Sequence, residues 1–104
     1  MYAPAFEWVL QVHVTFKSFG PLRRLIGEAV IDLEVDKEST VRQVVQRVIE
    51  EWGTEARHLI LDGEKISGNL IILLNMKDVS VLGGVDIPVT ENDEVAILPH
   101  VQGG

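Results

Sequence analysis

The sequence contains no cysteine, and this absence excludes several kinds of chemistry at once. Disulfide bonds, thiolate nucleophiles, CxxC redox motifs and cysteine zinc sites all require a thiol. The chain therefore has to fold on a hydrophobic core alone. At 104 residues it is long enough for one such core but leaves little room for a second. We predict a single domain over residues 1–104.

Long hydrophobic runs are missing as well. The longest apolar run, Leu70–Leu74, is far too short to cross a bilayer. Residues 1–5 lack the basic start and the long apolar stretch of a signal peptide. We expect these first residues to be a flexible start and the protein to reside in the cytoplasm.

Positive charge is scarce. The chain carries 9 Lys and Arg against 16 Asp and Glu, a formal net charge of -7. No basic run offsets this excess, so the chain repels nucleic acid and anionic membranes. The charge balance favours proteins with basic faces as partners and argues against nucleic acid and membrane binding.

Catalytic and metal-binding motifs are absent from the sequence. Nucleophilic catalysis needs a serine or cysteine beside a base and an orienting group, and no such arrangement or glycine-rich phosphate loop is visible. His13, His58 and His100 have no metal-ligand spacing. We expect neither an independent enzyme nor a metal site.

Alternating apolar and polar residues predict two strands near the start of the chain. Residues 6–16 alternate strictly, as expected of a strand with one buried face. Residues 17–28 form a connector with about one turn of helical spacing, and residues 29–35 alternate again. The two strands are predicted to pair in antiparallel fashion.

The strongest helix signal begins at Val41. Its apolar stripe consists of Val41, Val44, Val45, Val48, Ile49 and Trp52. Thr40 and Gln43 have capping-box spacing, and Gly53 is predicted to stop the helix in a left-handed conformation.

The second half of the chain predicts further strands separated by turns. We expect residues 54–69 to be irregular, with a turn at Asp62-Gly63. The run Leu70–Leu74 is apolar on both faces, which is typical of a central strand. A last strand is predicted over residues 94–98, where Pro99 stops it. One helix across a mixed sheet of about five strands gives the fold class α+β.

The order of elements and the end of the chain resemble a known family. An acidic turn, Glu91-Asn92-Asp93-Glu94, precedes an apolar strand, and residues 95–104 read Val-Ala-Ile-Leu-Pro-His-Val-Gln-Gly-Gly. Together with the stretch at residues 73–79, these features resemble the MoaD/ThiS family of ubiquitin-like sulfur carriers, most closely the small subunit of molybdopterin synthase. The resemblance implies a β-grasp fold and covers nearly the whole chain. The sequence departs from the family pattern at Met76, His100 and Gln102.

The resemblance also implies a chemistry at the chain end. In such carriers the carboxyl group of the last residue, here Gly104, is adenylated by a ubiquitin-activating-like enzyme that uses ATP. A persulfide donor then converts it to a thiocarboxylate. Gly103 contributes backbone freedom, because glycine reaches angles closed to other residues. Residues 99–104 are expected to form an extended tail. The chain itself is expected to bind no cofactor.

The same resemblance suggests where partners bind. Contacts with the activating enzyme and with the large subunit of molybdopterin synthase are expected from five residues before the diglycine: Leu98, Pro99, His100, Val101 and Gln102. Neighbouring strand residues face opposite sides, so either Ile97 or Leu98 points into the core, and we predict that Leu98 points outward. Two alternatives stay open at this point: that Pro99 only ends the strand and contacts no partner, and that His100 is simply a solvated side chain.

Three functions are compatible with these observations. In the first, Gly104 donates sulfur to the pterin of the molybdenum or tungsten cofactor, and the catalytic side chains belong to the large subunit. In the second, the chain carries sulfur for tRNA thiolation or is joined to lysines as a ubiquitin-like modifier. In the third, it is a β-grasp interaction module that recruits partners through a sheet edge, and its tail is incidental.

Overall fold

A computed structural model describes residues 10–99 of the chain. The strands are β1 Gln11–Ser18, β2 Val30–Asp36, β3 Leu61–Asp62, β4 Lys65–Ile66, β5 Leu70–Leu74, β6 Lys77–Asp78 and β7 Asp93–Pro99. The helices are α1 Gly20–Ile26 and α2 Val41–Ile60, and a 3-10 turn covers Val79–Val81. Within this part of the chain, no helix combines the length and the apolar character needed to span a membrane.

Five strands form one mixed sheet in the order β2-β1-β7-β5-β6. The first two strands pair in antiparallel fashion, as predicted, and β1 pairs with β7 in parallel. The predicted start of β1 at residues 6–9 lies outside the described residues. The last strand, β7, is the central one. β5 lies inside the sheet as predicted, between β7 and β6, although the short β6 pairs only with Leu73 and Leu74.

Helix α2 packs on one face of this sheet through the predicted stripe. Val41, Val44, Val45 and Val48 are fully buried and pack on core residues of the central strands, Val14, Phe16, Val95 and Ile97. The capping box is present: the N–H of Gln43 donates to Thr40 Oγ1 at 3.2 Å, and the N–H of Thr40 donates to Gln43 Oε1 at 2.8 Å. Because many of these residues are β-branched, burial rather than intrinsic propensity stabilises the helix.

The first helical segment of α2 is interrupted at Gly53, where the sequence predicts a stop, and a second segment continues to Ile60. Gly53 has the positive φ expected of a glycine stop, 75°, but its ψ of -150° is not that of the left-handed helical conformation. The expectation that residues 54–60 are irregular was therefore wrong. This segment is stabilised by packing, because Ala56 and Ile60 are completely buried. The sequence did not indicate a helix here, because these two apolar residues alone do not make a clear helical stripe. The predicted turn at Asp62-Gly63 is present and joins β3 to β4.

The tight turn between β5 and β6 contains a strained residue. Asn75 has φ 50° and Met76 has φ 73°, so both central residues of the turn are left-handed. Asparagine tolerates this conformation, but a long side chain such as that of methionine does not. The Met76 side chain is 73% exposed and has little packing with which to offset the strain.

We expect Met76→Gly to raise the free energy of unfolding by about 1 kcal/mol, because glycine adopts positive φ without steric cost. Met76→Ala is the matched control, since alanine removes the side chain but keeps the strain. Denaturant unfolding of the three proteins measures the effect. Equal stabilisation by alanine and glycine would show that the exposed side chain, and not the backbone, carries the cost.

Candidate functional site

The strand that leads to the diglycine lies in the middle of the sheet. β7 pairs with β1 on one side and with β5 on the other, and Val95 and Ile97 are buried beneath α2. Its last residue, Pro99, is opposite Leu70 in the sheet, so the strand is longer by one residue at each end than predicted. β7 is thus held by a neighbouring strand on each side.

The start of β7 is fixed by the turn between β5 and β6. Asn75 Nδ2 donates to Asp93 Oδ1 at 2.9 Å, and the N–H of Glu94 donates to Asn75 Oδ1 at 2.9 Å. The N–H of Thr90 also donates to Asp93 Oδ2 at 2.7 Å. Asparagine and aspartate offer several acceptor and donor positions, which suits them to such a junction. The acidic turn noted in the sequence is therefore part of the support for β7.

An apolar patch lies on the face of the sheet that α2 does not cover. We call it the open-face patch; it consists of Ile71, Leu73, Ala96 and Leu98. Ile71 is opposite Leu98 and Leu73 is opposite Ala96 in the register of β5 and β7. None of the four belongs to the core cluster; Ile71, Leu73 and Leu98 are half-buried, whereas Ala96 is only 3% exposed. Because side chains alternate along a strand, these residues point away from the helix.

The rest of the open face is charged. Lys17 Nζ lies 3.6 Å from Glu94 Oε1 at the border of the open-face patch. Further along, the ring of His13 lies between two carboxylates, with Nε2 at 3.1 Å from Glu34 and Nδ1 at 3.3 Å from Glu91. The backbone N–H of His13 donates to Glu91 Oε1 at 2.9 Å, and this bond is the main reason that the pKa of Glu91 lies below its ordinary value. The face therefore divides into an apolar half and a polar half.

A small apolar cleft adjoins the end of β7 on the helix side. Its volume is about 180 Å³, and its walls include Phe19, Leu22, Leu59, Leu70 and Pro99. Phe19 and Leu59 are each 37% exposed. Apolar surface thus lies on both faces of the sheet near the point where the described residues end.

The predicted site residues fall into two groups. Leu98 points outward as predicted, since Ile97 is 2% exposed and occupies the core; its role as a partner contact stays a prediction. Residues His100, Val101, Gln102, Gly103 and Gly104 lie outside the described residues. The sequence interpretation missed Ile71 and Leu73 as surface residues. Their signal was present in the two-sided apolar character of β5, which we assigned to a central strand.

The described part of the site is a partly apolar face of the sheet beside the last residues of β7. Among residues 10–99, no three His, Asp or Glu side chains are grouped so that they could hold a metal ion. A mixed five-stranded sheet with one main helix packed across it defines the class of ubiquitin-like β-grasp proteins.

The chain belongs to the ThiS family of ubiquitin-like sulfur carriers, whose family model matches residues 17–104. Small archaeal modifier protein 3 of Haloferax volcanii is 29% identical over 93 residues, which cover 89% of this chain and 100% of that protein.

Solved structures share the fold. A chain of the BexX/CysO complex of Amycolatopsis orientalis superposes with a TM-score of 0.70 at 27% identity and covers 88% of this chain and 99% of its own length. A Pyrococcus furiosus protein assigned as subunit 1 of molybdopterin converting factor superposes with a TM-score of 0.68 at 21% identity, covering 86% and 99%. At this identity the second likeness concerns the fold alone.

Proposed function

We propose that this chain carries sulfur on the carboxyl group of Gly104 and acts as a co-substrate, not as a catalyst. The observation that carries the proposal is membership of the ThiS family in a sequence that has Gly103-Gly104 after β7, with three residues between them. The central position of β7 supports it, because a rigid strand presents the following residues at a defined place.

The chemistry begins with activation. A carboxylate is a poor electrophile, so an activating enzyme first transfers AMP from ATP to the Gly104 carboxylate and releases pyrophosphate. A persulfide then attacks the acyl carbon and displaces AMP. A thiol reductant opens the resulting acyl disulfide and leaves a thiocarboxylate. Gly103 and Gly104 have no side chains to obstruct a narrow active-site channel.

The open-face patch is the surface that we assign to the activating enzyme. Exposed, contiguous apolar side chains on a small domain commonly mark a partner site. The patch includes Leu98, which precedes the diglycine by only a few residues, so docking there brings the chain end close to the partner. The charged half of the face orients the approach, because electrostatic complementarity affects association rate and register more than affinity.

The first destination that we consider for the sulfur is a pterin. In this role the chain is the small subunit of a cytoplasmic molybdopterin synthase, and Gly104 donates sulfur within the large subunit. The resemblance of residues 73–79 and 91–104 to the small subunit supports this assignment. The large subunit then supplies every catalytic side chain.

A second destination is favoured by the relative in Haloferax volcanii, which is named as a modifier and is matched over its full length. Here the activated Gly104 forms an isopeptide bond with a lysine, or its thiocarboxylate supplies sulfur for tRNA. Activation of Gly104 is common to both destinations. A third function, an interaction module with an incidental tail, does not need Gly104 at all.

One experiment distinguishes these functions. The chain, tagged at its N-terminus, is expressed in its native host with and without the two glycines. Conjugates on lysines indicate a modifier; because Lys77 is the last lysine or arginine of the chain, tryptic digestion leaves residues 78–104 attached to the acceptor lysine as a branch. Copurification with a large subunit and production of the pterin dithiolene indicate the synthase. Loss of both outputs without Gly103 and Gly104 is expected. Unchanged partner recruitment and host phenotype without them would overturn the carrier proposal in favour of the interaction module.

A further inference from the structure

The outer edge of β2 is a long strand edge with no partner among residues 10–99. β2 spans Val30–Asp36, 7 residues, and is the terminal strand of the sheet, bonded only to β1. The opposite edge is different, because β6 has only 2 residues. An unpaired strand edge offers a row of backbone donors and acceptors to an incoming strand.

The register shows which backbone groups point outward. The N–H of Ser18 donates to the carbonyl of Ala29 at 3.1 Å, and the N–H of Lys37 donates to the carbonyl of Leu10. Bonded and non-bonded positions alternate along an antiparallel pair. The odd-numbered residues of β2 therefore bond to β1. The outward N–H and C=O groups belong to Val30, Asp32, Glu34 and Asp36.

A groove runs beside this edge, between β2 and α2. Its volume is about 570 Å³, and its lining includes Ile31, Arg47, Glu51 and Trp52. Ile31 and Trp52 are half-buried and provide apolar surface. Arg47 Nη1 and Glu51 Oε1 form an ion pair of 2.7 Å on the helix side. A strand added to β2 would place every second side chain in this groove.

The other face of the added strand would meet acidic side chains. Asp32, Glu34 and Asp36 share the open face of β2, because they alternate with the core residues Leu33 and Val35. This row opposes pairing with the same edge of a second copy, since like charges directly opposite each other are destabilising. It favours a strand with basic residues at alternate positions.

We propose that the outer edge of β2 binds an extended segment of a partner protein in which basic and apolar residues alternate. The segment joins the sheet as a sixth strand next to β2, with its apolar side chains against Ile31 and Trp52 and its basic side chains against Asp32, Glu34 and Asp36. Backbone bonds to the edge supply affinity, and the two side-chain rows supply specificity. This surface is separate from the open-face patch and does not depend on Gly104.

The test is an NMR titration of the full chain with a synthetic peptide of alternating lysine and valine, as long as the 7-residue β2. The amides of Val30, Asp32, Glu34 and Asp36 exchange rapidly with solvent in the free protein and become protected when the peptide binds. A peptide in which glutamate replaces lysine binds at least about tenfold more weakly, because its charges oppose those of the edge.

Two substitutions of Asp32 distinguish the contribution of backbone pairing to peptide binding from the contribution of charge. Asp32→Pro removes an outward N–H without removing a bond to β1, a position at which an edge strand tolerates proline. Asp32→Asn removes the same charge and keeps the N–H. We expect proline to weaken binding of the lysine peptide by about tenfold or more and asparagine by about threefold or less.

If the proline variant fails to fold, a charge-reversed variant, Asp32→Lys with Asp36→Lys, replaces it in the test. This variant should bind the glutamate peptide more tightly than the lysine peptide. Equal weakening by proline and asparagine, with shifts spread over the acidic surface, would overturn the proposal, since that result indicates general charge attraction. Amides of the β2 edge that are already protected in the free chain would overturn it as well, because they show that the edge is occupied.

Discussion

Deletion of Gly104 is expected to abolish thiocarboxylate formation and to leave the stability of the domain unchanged. The loss should be complete, because the preceding residue, Gly103, would end one residue short of the position at which the activating enzyme reacts. A displacement of about 3.5 Å is far outside the tolerance of a catalytic geometry. The core residues of the described part of the chain, residues 10–99, lie between Val14 and Ile97, and we expect the melting temperature not to change.

The measurement is adenylate formation from labelled ATP with the activating enzyme, together with thermal unfolding. A tag at either end of the otherwise identical chain is the matched control. A tag that follows Gly104 should block the reaction as completely as the deletion does, whereas a tag before Met1 should leave it intact. A variant without Gly104 that is adenylated at the normal rate would contradict the assignment of the reactive group.

The second large effect is expected at the open-face patch. Leu98→Glu places a charge in the centre of the apolar half of the face, opposite Ile71. A docked partner that offers no counter-charge would remove water from this carboxylate, which costs binding free energy. The affinity for the activating enzyme should therefore fall at least about tenfold, equivalent to about 1.4 kcal/mol. Because Leu98 is half-exposed and outside the core cluster, the domain should still fold.

Gln11→Glu is the control for this variant, because it adds the same charge to an exposed position of the open face, on β1 beside Asp36. Titration calorimetry with the activating enzyme compares the two variants with the parent chain, and circular dichroism checks folding. Equal affinities for Leu98→Glu and the parent chain would exclude the open-face patch from the interface. Equal losses for the two variants would assign the effect to net charge.

The parts of the fold that depend on local pattern could be predicted from the sequence. The capping box at Thr40 and Gln43 and the burial of the valine stripe are consequences of spacing that any helix shares. The outward direction of Leu98 followed from strand alternation next to a buried Ile97. In each case the pattern lies within a few residues along the chain.

The errors arose where distant residues decide the outcome. Gly53 has the positive φ of a helix stop, yet the chain returns to a helix because Ala56 and Ile60 find a place in the core. A two-sided apolar strand looks the same in sequence whether its second face is buried or open, so the sequence did not show which face of β5 is partly exposed. The structure shows it, because Ile71 and Leu73 are half-buried and lie outside the core cluster.

The most direct test of the account is the intact mass of the chain after incubation with its activating enzyme, ATP, a persulfide donor and a thiol reductant. The account predicts a mass increase equal to the exchange of one oxygen for one sulfur, located by fragmentation at Gly104 and absent when ATP is withheld. An unchanged mass in the presence of an activating enzyme that is demonstrably active, or a sulfur atom located elsewhere on the chain, would contradict it.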